Sequence, residues 1–350
     1  MRLRSVEVIP YALPFREPYV TARGTLRRRE MVLLRLRDED GVIGLGEAVP
    51  LSLRGGATLA EVVRELEGFA EHQEASGLSA PARCAAETAL MDLRGRRDGK
   101  EAGRGEGDET VPCNATLVAG PPEEVAAEAE RWAQDGFTTF KLKLGAESEK
   151  NIPEGGFLRT RDPDVDQVRA VREALGAEAR IRIDANEAWD LETAKRTLAE
   201  LEPLGIELAE QPVAGLEEMA ELAAATSISL AADESVATLA EAERAVALGA
   251  CAYTGIKLAK VGGAAEALAI AEVLPAYVTS ALDGPVGIAA AAKVARTVVG
   301  RLAHGLATQR LFASTIASVE CELRGDRLHL PPGPGLGVEI DEEALERHRL

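Results

Sequence analysis

The sequence predicts an α/β protein, a (β/α)8-type barrel preceded by a smaller α+β domain, and three observations predict this fold class. Residues 1–110 alternate like strands and then become helical. Residues 111–319 repeat short apolar runs with amphipathic segments between them, while residues 320–350 are too rich in proline and glycine for another β-α unit. With 350 residues and 46% hydrophobic content, the chain is long enough for one barrel and one small domain.

The first 110 residues are expected to form the α+β domain. "RSVEVIPYALPF" and "EMVLLRLRDEDGVIGLGEA" are typical of strands, and "DEDG" is a hairpin turn signal. "TLAEVVRELEGFAEH" and "PARCAAETALMDLRGR" are typical of helices, and a polar, glycine-rich linker over 99–111 follows them. The tail over 320–350 is expected to fold back onto this domain.

Residues 111–319 contain eight short apolar runs, the last of them weak, with helical segments between them. In one such segment Leu191, Ala194, Leu198 and Leu201 share a helix face. A doubly wound open sheet is the alternative, but no G-x-G-x-x-G motif follows the first run, and eight units suit closure into a barrel. The runs are "CNATLV" (113–118), "TFKLKLG" (139–145), "IRIDAN" (181–186), "IELAEQP" (206–212), "SLAADES" (229–235), "YTGIKLAK" (253–260), "AYVTSAL" (276–282) and "LAHGLAT" (302–308).

Charge and composition narrow the possible partners. A net charge of -18 and a pI near 4.9 disfavour nucleic acid and anionic membranes, which attract basic surfaces. The N-terminus lacks the apolar core of a signal peptide, and no run of about 18 apolar residues could span a bilayer. The separation of Cys84, Cys113, Cys251 and Cys321 suggests neither a disulfide framework nor a zinc site. A cytoplasmic location is therefore expected.

The ends of the central strands carry the residues of chemical interest, because active sites in α/β barrels lie at the C-terminal ends of the strands. Three successive ends carry one carboxylate each, and the gaps of 26 and 23 residues each match one β-α unit. The strands on either side carry lysines, although only 8 of the 40 basic residues are Lys. These candidates are Lys141, Lys143, Asp184 with Asn186, Glu210, Asp233 with Glu234, and Lys257.

Three convergent carboxylates repel one another, so this pattern predicts a bound cation. Oxygen ligands without His or Cys favour Mg²⁺, with Mn²⁺ as the alternative, over zinc. A lysine near other cations in a partly dry cavity can lose its proton and act as a base, which Arg cannot do. The pattern therefore predicts proton abstraction next to the carboxylate of a small-molecule substrate.

Each of these residues alone has a simpler interpretation. A single Asp at a strand end is usually a helix cap or loop residue, and a single Lys is usually a solvated charge. Five consecutive units that each carry a suitable residue favour a functional site. A non-catalytic barrel that binds an acid is the alternative from another class, and loss of a lysine or carboxylate would be its signature.

The motifs "KLK", "DAN", "EQP", "DES" and "IKLAKVGG", in this order and spacing, resemble the muconate-lactonizing subgroup of the enolase superfamily. "VLLRLRDEDGVIGLGEAVP" and "RCAAETALMDL" are similar to its N-terminal capping domain. The resemblance implies a modified TIM barrel with Mg²⁺ on Asp184, Glu210 and Asp233. It also implies the remaining roles: Lys143 as the α-proton base, Lys141 supporting it, Lys257 on the opposite face, and Asn186 and Glu234 orienting ligand and lysine.

Members of this subgroup catalyse several reactions, and the last two strands help to separate them. Dipeptide epimerases usually carry Asp-x-Asp at the eighth strand, whereas "HGLATQRLF" here has no acid. Muconate cycloisomerases usually have Glu near the end of the seventh strand, where this chain has Asp283. Both regions resemble o-succinylbenzoate synthases, which act in menaquinone biosynthesis, so dehydration of the cyclohexadiene precursor is expected. N-succinylamino acid racemase, dipeptide epimerase and muconate cycloisomerase remain the alternatives.

The substrate-binding candidates lie in loops around these strand ends. Arg23 is expected to reach the substrate if "ARGTLRRRE" folds over the site, with a solvated Arg as the alternative. Gly262 and Gly263 open a helix whose amides could bind an anion, with tight packing as the alternative. Ser280 and Asp283 complete the set. The segment 146–164 is longer than is usual in this family, and association into homo-oligomers is possible.

Overall fold

The computed structural model describes residues 3–21, 24–52, 55–72, 77–102, 109–145, 162–298, 300 and 302–350. The N-terminal part is an antiparallel sheet in the order β1 (Leu3–Thr21), β2 (Gly24–Asp38) and β3 (Ile43–Ala48), with α1 (Leu59–His72) and α2 (Ala80–Asp98) packed against it. These five elements are called the capping domain below.

Glycines in β3 let helix α2 approach the sheet closely. A Cβ atom at Gly44 would lie 2.2 Å from the carbonyl oxygen of Ala89, and one at Gly46 would lie 2.0 Å from that of Ala85. The hydrophobic core of the capping domain forms at this contact and includes Leu34 of β2. The helix therefore packs backbone to backbone on the strand, at a distance that any side chain would prevent.

The barrel is a curled sheet of seven parallel strands whose order follows the sequence. Each strand is followed by a helix, which is the pattern that gives a right-handed β-α repeat. A short strand, β4 (Thr110–Pro112), precedes the first of the seven. The barrel elements are β5 (Ala115–Leu117), α3 (Pro122–Gln134), β6 (Thr139–Lys143), α4 (Pro163–Leu175), β7 (Arg180–Asp184), α5 (Leu191–Leu201), β8 (Ile206–Glu210), α6 (Leu216–Ala223), β9 (Leu230–Ala232), α7 (Leu239–Leu248), β10 (Tyr253–Ile256), α8 (Leu258–Val261), α9 (Ala264–Val273), β11 (Ala276–Val278) and α10 (Pro285–Ala295).

The eighth position of the ring is occupied by a segment without a continuous strand. His304 bridges Cys113 and Gly305 bridges Thr279, both in parallel orientation. The Asn114 amide donates to the His304 carbonyl at 2.9 Å, and the Gly305 amide donates to the Val278 carbonyl at 2.9 Å. The predicted barrel class is confirmed, and the weak eighth run closes it through isolated bridges.

The C-terminal tail contributes small strands and a last helix. Its β14 pairs with β4, and the amide of Leu350 donates to the carbonyl of Pro10 in β1 at 3.0 Å. The proposed domain boundaries at residues 110 and 320 remain predictions. No helix in the described ranges has the length and apolar character needed to cross a membrane. The tail elements are β12 (Ala317–Val319), β13 (Glu322–Arg324), β14 (Arg327–His329), β15 (Glu339–Ile340) and α11 (Glu342–His348), with 3-10 turns at Glu202–Leu204 and Ala307–Leu311.

Candidate active site

The parallel register of the sheet brings the acidic and basic candidates to one end of the barrel. Lys143 of β6 pairs with Asp184 of β7, which pairs with Glu210 of β8. Asp233 directly follows β9 and Lys257 directly follows β10. All five therefore lie at the C-terminal ends of their strands, where α/β barrels hold their chemistry.

The three carboxylates are completely buried and lie against lysine ammonium groups. Asp184, Glu210 and Asp233 each have 0% exposure. The Nζ atom of Lys141 lies 3.1 Å from Asp184 Oδ2 and 3.1 Å from each carboxylate oxygen of Glu210. Lys143 pairs with Asp184 and donates to Asn186 Oδ1 at 2.9 Å. Carboxylates that are buried this close together need positive charge beside them, and both Lys141 and Lys143 of β6 supply it.

The opposite wall carries a second pair of lysines on Asp233. Lys257 forms an ion pair with this carboxylate, and Lys260 Nζ lies 2.8 Å from Asp233 Oδ1. Sequence reasoning missed Lys260, which lies in the one-turn helix α8 three residues after Lys257. The rarity of Lys in this chain could have identified it. Asn186 Nδ2 donates to Glu234 Oε1 at 3.1 Å, so these two residues connect the ends of β7 and β9.

The two lysines of β6 differ in their electrostatics. Burial alone would lower the pKa of Lys141, but the charges of Glu210 and Asp184 outweigh it and raise the pKa above its ordinary value. Burial lowers the pKa of Lys143, and the nearby Lys141 and Lys257 charges act in the same direction against the pull of Asp184. Lys141 is therefore held as a cation, while Lys143 is the one that is easier to deprotonate.

Contacts below the carboxylates fix their orientation. The Tyr277 hydroxyl of β11 donates to Glu210 Oε2, and the guanidinium of Arg182 lies 5.3 Å from the centre of the Tyr277 ring. Gln211 Oε1 accepts from the backbone amide of Asp233 at 2.9 Å. Sequence reasoning missed Tyr277 and Gln211 as site residues. Gln211 was visible as the middle residue of "EQP", whereas nothing in the local sequence marked Tyr277.

The donor set suits a hard divalent cation. Within the described residues, no three Asp, Glu, His or Cys side chains stand in an arrangement that could hold a metal ion. The lysine contacts give the physical reason, since ammonium groups engage the carboxylates that a cation would otherwise join. Asp184, Glu210 and Asp233 offer only buried oxygens, and burial together with the charge of Asp184 raises the pKa of Glu210. The oxygen donors of these three residues therefore suit Mg²⁺ in their chemistry, although the arrangement found here does not form a metal site, and they are the residues that would hold the ion.

A cavity of about 500 Å³ opens above the carboxylates between the barrel and the capping domain. Lys141, Lys143, Lys257 and Lys260 line it from the barrel side. The wall formed by the capping domain and by the loop after β3 is mostly apolar. An acid with an apolar body would fit between this wall and the lysines. That wall includes Tyr19, Leu26, Arg29, Pro50 and Leu51.

The substrate-binding candidates have mixed placements. Ser280 lines the cavity and donates to Asp283 Oδ2 at 2.7 Å, whereas Asp283 is buried behind it. Burial raises the pKa of Asp283. Arg23 and most of the long 146–164 segment lie outside the described residues. Ser280 is therefore placed to meet a ligand, and Asp283 is placed to shape the loop that carries it.

Gly262 and Gly263 pack against the capping domain and are not among the residues that line the cavity. A Cβ atom at Gly262 would lie 2.1 Å from the guanidinium of Arg83, and one at Gly263 would lie 2.1 Å from the Glu87 carboxylate. Glu87 also accepts from the backbone amide of Ala265 at 2.7 Å. A protein carboxylate therefore occupies this helix start, and the packing alternative is favoured over substrate binding.

Comparisons with known proteins show which family this chain belongs to. Residues 124–344 match the Enolase C-terminal domain-like family, and residues 3–101 match the Mandelate racemase / muconate lactonizing enzyme N-terminal domain family. Muconate cycloisomerase 1 of Acinetobacter baylyi is 28% identical, with 99% of each chain covered. An o-succinylbenzoate synthase of Thermobifida fusca is 38% identical over 59% of this chain and 62% of its own length.

A solved structure supports the same assignment across the whole chain. The substrate-liganded L-Ala-D/L-Glu epimerase of Bacillus subtilis superposes with a TM-score of 0.87 at 26% identity, covering 97% of this chain and 100% of its own. Two domain families in the expected order and this overall likeness together show the family. The chain belongs to the enolase superfamily, in its muconate-lactonizing subgroup.

Proposed function

We propose that this protein is a Mg²⁺-dependent o-succinylbenzoate synthase. The observation that carries the proposal is the pair of lysine walls, Lys143 on one side and Lys257 on the other, above three buried carboxylates. Such an arrangement suits removal of a proton next to a substrate carboxylate. The relative from Thermobifida fusca and the acid-free segment after His304 favour the dehydratase over the other reactions of the subgroup.

The divalent ion, when bound, would neutralise the charge that develops on the substrate carboxylate. Neutral Lys143 takes the α-proton of 2-succinyl-6-hydroxy-2,4-cyclohexadiene-1-carboxylate. The C–O bond to the hydroxyl group then breaks, and the ammonium of Lys143 returns its proton so that water leaves. The ring becomes aromatic with no oxidant. Lys257 remains a cation beside the carboxylate, and Lys141 holds Asp184 and Glu210 in place.

The test is turnover of the purified protein with Mg²⁺ and this cyclohexadiene. Loss of the diene absorbance with formation of o-succinylbenzoate supports the proposal. An inactive protein under conditions where a known synthase works would reject it. The product is an intermediate of menaquinone biosynthesis. We also propose that the protein is cytoplasmic and that it can form homo-oligomers.

A second candidate activity is racemisation of N-succinylamino acids. The same two lysine walls favour it, because a base on each face can remove and return a proton at one carbon. Incubation with N-succinylamino acids in D₂O measures α-proton exchange directly. Exchange without dehydration of the cyclohexadiene would make racemisation the principal activity. Dipeptides and muconate are assayed in the same way to test the epimerase and cycloisomerase alternatives. A non-catalytic barrel is disfavoured, since no lysine or carboxylate of the site is missing.

A further inference from the structure

The loop between β11 and α10 contains an unusual backbone conformation. Leu282 has a φ angle of +66°, in the left-handed region that leucine rarely adopts. Among the described residues, Asn186, Glu187 and Gln211 are the other non-glycine residues with positive φ, and all three are polar. Leu282 lines the cavity, so the strained residue is also one that faces the substrate space. Strain of this kind persists only where the surroundings impose it.

The loop is held from inside by Asp283. Its Oδ2 atom accepts from the Ser280 hydroxyl at 2.7 Å and from the Ala281 amide at 2.7 Å. The Asp283 amide donates in turn to the Ser280 hydroxyl at 2.9 Å. These bonds close the loop on both sides of Leu282.

The capping domain holds the same loop from outside through Arg29. One guanidinium nitrogen of Arg29 donates to the carbonyl oxygens of Pro50 at 2.9 Å and Ala281 at 3.0 Å. Arg29 is 9% exposed and also lines the cavity. A single buried side chain therefore joins β2, the loop after β3 and the loop after β11.

Glu47 at the end of β3 holds the other end of the loop. Its Oε1 atom accepts from the Gly284 amide at 2.6 Å, and its Oε2 atom accepts from the Tyr11 hydroxyl at 2.8 Å. A Cβ atom at Gly284 would lie 2.4 Å from that hydroxyl, and one at Gly287 would lie 2.6 Å from the Glu47 carboxylate. The carboxylate thus sits in a space that only glycines leave open.

We propose that Arg29 and Glu47 form a clamp through which the capping domain holds the 280–284 loop in its strained form. The clamp makes Leu282 a specificity-determining residue, an apolar wall for the body of a carboxylate substrate. Leu26 and Leu51 extend this wall from the capping side. This inference rests on the proposed function in one respect, because it takes this cavity as the substrate-binding site.

The first experiment compares Leu282→Gly with the parent enzyme on the substrate that is turned over. Glycine adopts the backbone angle without strain but removes the wall. We expect the KM to rise about tenfold with a smaller change in kcat, and thermal unfolding checks that the variant is folded. An unchanged KM would overturn the role given to Leu282.

The second experiment tests the clamp itself with Arg29→Lys, and with Arg28→Lys as the matched control. Arg28 is the neighbouring exposed arginine, and it pairs with Glu30. We expect Arg29→Lys to raise the KM, and the double variant with Leu282→Gly to have no larger effect than the greater single one. Multiplying effects would show that Arg29 does not act through Leu282.

The third experiment requires no substrate and therefore separates this inference from the proposed function. Hydrogen exchange of the backbone amides in residues 281–284 is measured in the full chain. We expect exchange to be at least about fivefold faster in Arg29→Lys and Glu47→Ala, and to return towards the parent rate in Glu47→Gln, whose amide oxygen can still accept from Gly284. Exchange equal to that of Arg28→Lys would overturn the clamp even if the enzyme is fully active.

Discussion

The buried carboxylates at the strand ends of the barrel and at the junction between the domains have different partners. Asp184 at the strand ends lies against Lys141 and Lys143, whose charges overcome burial and keep its pKa below the ordinary value. Glu47 at the domain junction instead takes hydrogen bonds from a tyrosine hydroxyl and a glycine amide. Burial, with the nearby charge of Asp283, raises its pKa to about 7.

The contrast shows two ways of meeting the cost of burying an acid. Paired ammonium groups keep a carboxylate charged and available to a cation or a developing charge. Neutral donors hold a carboxylate in position without keeping it charged, which suits a joint between domains. The predictions below test this distinction, from the largest expected change in free energy to the smallest.

The largest effect is expected from Lys143→Ala. Removing the proposed base should lower kcat about a thousandfold, or about 4 kcal/mol, because Lys141 is held as a cation and Lys257 lies on the opposite wall with Asp233. Steady-state kinetics give the result, and circular dichroism checks the fold. Lys195→Ala is the control, since this lysine pairs with Glu192 and Glu221 on the surface. Comparable rates in the two variants would contradict the assignment.

Glu47→Gln should change how stability depends on pH. The pKa of Glu47 is raised from 4.5 to about 7 in the folded protein, so its favourable contribution is complete below pH 4.5 and is lost as the pH rises towards 7. Glutamine resembles the protonated acid, so the variant should match the parent near pH 4.5 and exceed it by at most about 3 kcal/mol at pH 8. Urea unfolding at the two pH values measures this, and a pH-independent difference would show that Glu47 does not titrate as stated.

Removal of divalent metal should abolish activity and lower the Tm. A bound cation would offset the repulsion among three buried carboxylates. A ligand present at a hundred times its Kd raises the free energy of unfolding by about 2.7 kcal/mol. Dialysis against EDTA followed by Mg²⁺ addition, with activity and thermal unfolding recorded at each step, provides the measurement. Asp184→Asn should weaken the response of the Tm to Mg²⁺. Full activity after EDTA treatment would argue against a metal-dependent enzyme.

Tyr277→Phe should weaken Mg²⁺ binding about tenfold, or about 1.4 kcal/mol, because the hydroxyl that orients Glu210 is lost. Isothermal titration with Mg²⁺ measures the affinity without any turnover. Tyr253→Phe is the matched control, as Tyr253 packs against the same small cluster as Tyr277. Equal affinities in the two variants would show that Glu210 needs no such orientation.

The sequence was sufficient to predict the barrel and the residues at its strand ends. One β-α unit has a regular length, so residues such as Asp184, Glu210 and Asp233 could be assigned to one edge from spacing alone. The rarity of Lys in this chain drew attention to Lys141 and Lys143, and the family resemblance implied that Lys143 is the base. These conclusions depended on patterns that repeat along neighbouring segments.

Contacts between distant segments could not be predicted in this way. Arg29 and Ala281 are 252 residues apart, and Glu47 and Gly284 are 237 apart, so no local pattern joins them. The same limit applies to the anion site that was expected at Gly262 and Gly263, where the sequence could not decide between anion binding and tight packing. The sequence showed a helix start with two glycines, but it could not show that Arg83 and Glu87 of the capping domain fill the space. The fold decides such contacts through packing between domains.

The ring of the barrel has a seam where segment 302–308 takes the place of a strand. Main-chain bonds at His304 and Gly305 close it, and the His304 ring accepts from the Val278 amide at 2.9 Å. Gly305 and Thr308 reach the cavity from this seam. Since closure uses main-chain bonds and not the Thr308 side chain, position 308 can change the shape of the cavity at little cost to folding. Position 305 is more restricted, because a Cβ atom at Gly305 would lie 3.2 Å from the Thr279 side chain.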